Sequence, residues 1–229
     1  MGLPTIAMSL LSLAMPPVQA AALLVVPTIA TNAWQLATGP SFVALSRRFA
    51  TMALGICVGT AMGVHLLTDG SSNGVSIALG AVLATYGALG LASIHFTVAP
   101  AHERWLSPLV GLTTGVLAGA TGVSVIPVVF YLNSLSLDKE ELVQALALAF
   151  TTSSLALAVG LSAGNEFPLA VAGASMLALA PAIVGMLIGQ AVRNRLQPEA
   201  FRRWFFAGLL ALGIFIAARA LLNANGEGL

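Results

Sequence analysis

Charge is what this chain of 229 residues has least of. Lys and Arg number 9, Asp and Glu 8, together 7% of the sequence, against about 25% in an ordinary soluble domain. With 58% of residues hydrophobic, no water-facing surface can be assembled, so the chain is an integral membrane protein. Cys57, the single cysteine, lies in an apolar run, which excludes an internal disulfide and a cysteine-held metal centre. No Lys or Arg precedes Arg47, which excludes the basic leading region of a cleaved secretion signal. The few basic residues exclude a nucleic-acid partner. No Asp or Glu sits deep in an apolar run, so proton or ion coupling finds no intramembrane carboxylate to carry it. Nothing in the sequence calls for a cofactor or a metal, and His65 and His95, at the ends of apolar runs, read as groups solvated at the interface.

Apolar length is what is present. A spanning helix needs about 20 residues, and Val18 to Leu36, Phe49 to Leu67, Val75 to His95, Glu141 to Leu161, Phe167 to Gln190 and Phe201 to Leu222 each satisfy it. Gly2 to Leu13 is apolar but too short. Gly39 to Arg48 reads as a loop, and Asp138 with Glu141 as a capping box. Gly55, Gly59 and Gly63, one turn apart, predict close helix packing. The fold expected is all-α, a polytopic transmembrane helical bundle forming one membrane domain.

Leu109 to Ser136 departs from that pattern, because Gly119, Gly122 and Pro127 interrupt it. A break inside a membrane leaves backbone groups that hydrocarbon cannot satisfy. The run from Trp105 to Leu137 would reach about 50 Å as one helix, against a core of about 30 Å. Two arms with a turn between them fit better, entering and leaving on one side. The loop at Arg47-Arg48 and the loop holding Arg193, Arg195, Arg202 and Arg203 then both face the cytoplasm. Val18-Gln19-Ala20 reappears as Val143-Gln144-Ala145, Val58-Gly59 as Val184-Gly185, and Pro4 as Pro127. The chain therefore reads as two repeats, 1–104 and 105–229, inverted relative to each other. The arm that should precede Pro4 is missing from the first.

The spacing Gly111, Gly115, Gly119, Gly122, Ser124, Pro127 resembles the signature of the TauE/SafE family, the sulfite exporter or toluene-sulfonate uptake permeases. Leu137 to Ala145, Thr151 to Ser154, Gly2 to Thr5 and Val18 to Leu23 resemble further elements of that family, over nearly the whole chain. Where the family carries a G-x-G-G-G turn, this chain has Gly119-Ala120-Thr121-Gly122-Val123. The resemblance implies a secondary transporter, not an enzyme, in the bacterial cytoplasmic membrane. It implies that the chain moves small, often sulfur-containing or organic anions. A truncated or non-transporting membrane subunit of the family is the alternative, motivated by the missing arm. An intramembrane enzyme using Ser124 with His65 or His95 is a weaker one, since a lone G-x-S recurs by chance.

The residues themselves support an anion site. Glycine at the break lets a ligand approach the backbone, and a half-helix starting near Ser124 would present free N–H groups and its positive end. The expected substrate contacts are Gly119, Thr121, Gly122, Ser124 and Pro127. Gly2, Pro4 and Thr5 are their counterparts in the first repeat. Thr151, Thr152, Ser153 and Asn32 line the path opposite. The competing reading is helix packing for the glycines and bonding back to the helix for the hydroxyls. The partners expected are a small anion, the lipid bilayer and a coupling proton or ion.

Overall fold

Hydrocarbon leaves each apolar run no structure but a helix in which its backbone groups satisfy one another. The computed structural model describes residues 3–92, 97–164, 166–193 and 198–226. Its helices are α1 (Leu3–Ala14), α2 (Pro17–Thr38), α3 (Phe42–Arg48), α4 (Ala50–Thr68), α5 (Ser72–Ala92), α6 (Pro100–Thr121), α7 (Val128–Asn133), α8 (Lys139–Ala163), α9 (Leu169–Leu177), α10 (Leu179–Arg193) and α11 (Pro198–Gly226). No strand occurs among the described residues. Helices α2, α4, α5, α8 and α11 each contain a stretch long and apolar enough to cross a membrane. The protein is an all-α, multi-pass membrane bundle.

Local expectations fail where tertiary partners intervene. The expected loop at 39–48 contains α3. The span expected from Phe167 to Gln190 divides at Ala178 into α9 and α10, because Pro181 offers no N–H to the Leu177 carbonyl. The Asp138–Glu141 capping box does not form. Asp138 stands at the N-cap of α8 without a side-chain bond, and Glu141 instead accepts the Ser41 hydroxyl at 3.4 Å. Gln144, near the start of α8, is fully buried. It donates to the Leu36 carbonyl at 2.8 Å and accepts the Ser41 N–H at 2.9 Å, tying α8 to the end of α2.

Glycine sets the helix spacing. The ridge Gly55, Gly59, Gly63 of α4 interleaves, in parallel, with Gly111, Gly115, Gly119 of α6. A Cβ on Gly55 would lie 2.5 Å from the Pro108 carbonyl oxygen, and one on Gly119 2.6 Å from that of Thr60. The other four glycines meet backbone of the facing helix in the same way. A second seam joins α5 to α11, where a Cβ on Gly80 would lie 2.6 Å from the Gly213 carbonyl oxygen.

Pro27 lies inside α2 and withholds a donor from the Leu23 carbonyl. Helix α9 replaces it: the fully buried Ser175 donates to that carbonyl at 2.7 Å and accepts the Val26 N–H at 3.1 Å. Ser175→Ala is expected to cost about 1–2 kcal/mol, the usual effect of leaving a buried carbonyl unpaired. The thermal midpoint in detergent should fall. In a Pro27→Ala background, where residue 27 regains its own N–H, the loss should shrink by half or more.

Most of the described basic groups gather at one end. Arg48, at the end of α3, holds Glu103 in the first turn of α6 through two bonds of 2.6 and 2.8 Å, and this bond raises the Arg48 pKa above its ordinary value. Helix α5 returns to that end after a short turn from α4. Helix α11 runs antiparallel to α5, with Gly90 against Phe206, which brings Arg202 and Arg203 to the level of Arg47 and Arg48. Trp34, Trp105 and Trp204 lie at the same end and are 72, 77 and 80% exposed, as an interfacial aromatic belt requires. This is the end that the arginine loops were expected to place at the cytoplasm.

Candidate functional site

The central run turns back on itself. Its 22-residue first arm, α6, rises about 33 Å. The chain returns through an extended segment and the six residues of α7, and the Val98 N–H then bonds the Ser134 carbonyl at 3.1 Å. Both ends of the run therefore lie at the arginine-rich end, as the hairpin expectation required.

Gly122 makes the turn. Its φ of 72° is left-handed, and its N–H closes α6 on the Ala118 carbonyl at 2.8 Å, a conformation that favours glycine. A Cβ there would meet Met8 of α1 at 3.0 Å and Ala21 of α2 at 3.1 Å. Ala21 is in the second turn of α2, so the turn sits toward the far end of the bundle and the returning segment carries the break to mid-depth. The half-helix expected near Ser124 begins instead at Val128, with Pro127 at its N-cap and a cis Ile126–Pro127 peptide. A residue before proline is driven to an extended conformation, so Val123 to Ile126 cannot join α7.

That extended segment is short of partners. The Val123 N–H reaches the Thr121 hydroxyl at 3.3 Å. Among the described residues, the N–H groups of Ser124, Val125, Ile126 and Val128 have no hydrogen-bond partner. Val123 and Val125 are buried and Ser124 is half-buried.

Helix α6 turns one polar stripe toward this segment. Ser107, Thr114 and Thr121 recur every seven residues, nearly two turns, and so share a face. Ser107 bonds the Tyr131 hydroxyl of α7 at 2.6 Å. Thr121 donates to Leu117 at 2.7 Å. Thr114, between them, is fully buried, and its hydroxyl has no partner among the described residues. Sequence reasoning missed Thr114, although the seven-residue spacing was legible.

Four further buried polar atoms lack partners among the described residues: Ser46 Oγ on α3, at the arginine-rich end, and three along the bundle, Asn32 Nδ2 on α2, Thr60 Oγ1 on α4 and Thr151 Oγ1 on α8. The Leu36–Gln144 bond sets the register of α2 on α8, and Gly160 against Val64 sets that of α4. In these registers the three atoms and Thr114 fall within about 12 Å of depth, counted at 1.5 Å per residue. Ser153 is buried beside them in sequence. Thr152 bonds back to Leu148 at 2.9 Å, the competing reading of its hydroxyl.

The other expected residues separate. Gly119 lies in the α4–α6 seam. Thr5 is buried in α1, with its carbonyl accepting Ser9 at 2.7 Å; Pro4 is half-buried, and Gly2 lies outside the described residues. Met8, against Gly122, is what brings α1 to the break. His65 is exposed, 3.7 Å from Asp69, and His95 lies outside the described residues.

A family model described as "Sulfite exporter TauE/SafE" matches residues 1–216. None of the curated proteins and none of the solved structures compared with the chain matches it.

Proposed function

The chain belongs to the TauE/SafE sulfite exporter family, a family of membrane transporters, and from that premise we propose that it carries small oxyanions, sulfite or organic sulfonates. The anion is held at the broken arm between Gly122 and Val128. The observation that supports this most is the set of partnerless N–H groups at Ser124, Val125, Ile126 and Val128. Each such group costs about 1–3 kcal/mol when buried without an acceptor. An oxyanion supplies several acceptors at once, and adjacent backbone N–H groups bind anions without a side-chain cation. Thr114, Thr151 and Asn32, at the same depth, add polar groups along the path, with Thr121 and Ser124 at its far side.

Alternating access follows from relative rocking of two inverted halves, 1–104 and 105–229. In support, α1 runs away from the arginine-rich end and α7 toward it, each leading into the next long helix.

Purified protein in lipid vesicles tests the function. The expected result is saturable flux of sulfite that methanesulfonate inhibits and choline does not. Flux that never saturates, or that choline blocks equally, overturns the reading. Thr114→Val should raise the KM for sulfite about tenfold, the value of one buried hydrogen bond to a charged ligand, with the protein's thermal midpoint unchanged or higher.

A further inference from the structure

A cavity of about 280 Å³ opens at the end of the bundle opposite the arginine loops, where the α1–α2 turn meets the start of α5 and the end of α11. Ser12, Asn73, Ser76, Arg219 and Asn223 are among its lining residues, and no carboxylate is, among the described residues. Arg219 is also, among the described residues, the one Arg or Lys at this end of the bundle. Its Nη1 donates to the Leu13 carbonyl at 3.0 Å, which fixes the guanidinium at the cavity wall and leaves its remaining N–H donors unspent. Helix α5 adds its positive end: the Ser72 and Asn73 N–H groups have no partner among the described residues, whereas the Gly74 N–H is taken by the Ser71 hydroxyl at 3.1 Å.

A cavity edged by a guanidinium, a helix N-terminus and two amides, with no negative group among its described lining residues, favours anions. Its volume holds a tetrahedral or pyramidal oxyanion with some water. It is also next to the break, because Leu13 and Met8 are on the same short helix, about 7.5 Å apart along its axis. We propose that this cavity is a second anion site, at the mouth opposite the arginine-rich end, where a sulfonate or similar oxyanion docks on Arg219 before or after occupying the break. Its transport role rests on the anion reading of the break, whereas its occupancy is measurable without any flux.

Phenylglyoxal modification of Arg219 in the wild-type protein, read by peptide mass, measures that occupancy. Methanesulfonate should slow the reaction at Arg219 about threefold when present at twice its dissociation constant. Sodium chloride of equal ionic strength should not, and Arg104, at the other end, should react alike in all cases. In vesicles, Arg219→Gln should raise the KM for sulfite several-fold while Arg219→Lys restores most of the affinity. An Arg219 modified at the same rate with and without methanesulfonate overturns the proposal. If Arg219 is protected and vesicles show no anion flux, the reading of the break fails and the second site stands. If flux is saturable and Arg219 is unprotected, the second site alone fails.

Discussion

Gly59→Leu should leave no folded protein. The Gly59 position faces the backbone between Leu112 and Val116 of α6, closer than any side-chain atom can sit. The neighbour is a main chain, so no rotamer change relieves the collision. Overpacking by a methylene costs about 1–3 kcal/mol where side chains can shift. Here two helices must separate along a seam of six interleaved glycines, and most of their contact is lost together. The variant should aggregate on extraction, without a monodisperse peak or a thermal transition. Gly185→Leu in α10 is the control. Nothing lies within 4 Å of a Cβ there, so yield and thermal midpoint should match the wild type. Equal tolerance at both positions would mean that the α4–α6 seam is not what fixes the bundle.

Gly122→Leu should fold and lose transport. A left-handed conformation costs a non-glycine residue about 1–2 kcal/mol, and the new side chain must displace Met8 and Ala21. That is not enough to unfold a bundle held by two glycine seams. It is enough to re-aim the extended segment that follows, and flux should fall at least tenfold. Asparagine accepts the left-handed region more readily than leucine, and the Met8 side chain can yield to it, so Gly122→Asn should fall between the two. Flux in vesicles, normalised to folded protein, decides. Wild-type flux from Gly122→Leu would detach the turn from transport.

The sequence carried the periodic features and lost those that depend on a distant partner. Gly55, Gly59 and Gly63 announce a packing face because four-residue spacing is local. Their pairing with Gly111, Gly115 and Gly119 is tertiary, and Gly119, expected as a ligand contact, lies in the other half of that seam. Pro27 marks a kink, but nothing near Ser175 in sequence says that its hydroxyl repairs it, 152 residues away. The capping box failed because Ser41, 100 residues away, competes for Glu141. The start of α7 was readable: proline suits the first turn of a helix, which places it at Pro127 rather than Ser124. Thr114 was readable too, from its seven-residue spacing to Ser107 and Thr121, yet only the folded hairpin shows that stripe facing a segment with unpaired N–H groups.

Those N–H groups are the centre of the account, and amide hydrogen exchange reads them directly. In detergent-solubilised wild-type protein, the peptide covering Val123 to Phe130 should exchange several-fold more slowly when methanesulfonate is added. Peptides from α4 should not change. Exchange in that segment indifferent to methanesulfonate and to sulfite, at concentrations that saturate flux, would contradict an anion held by the broken arm.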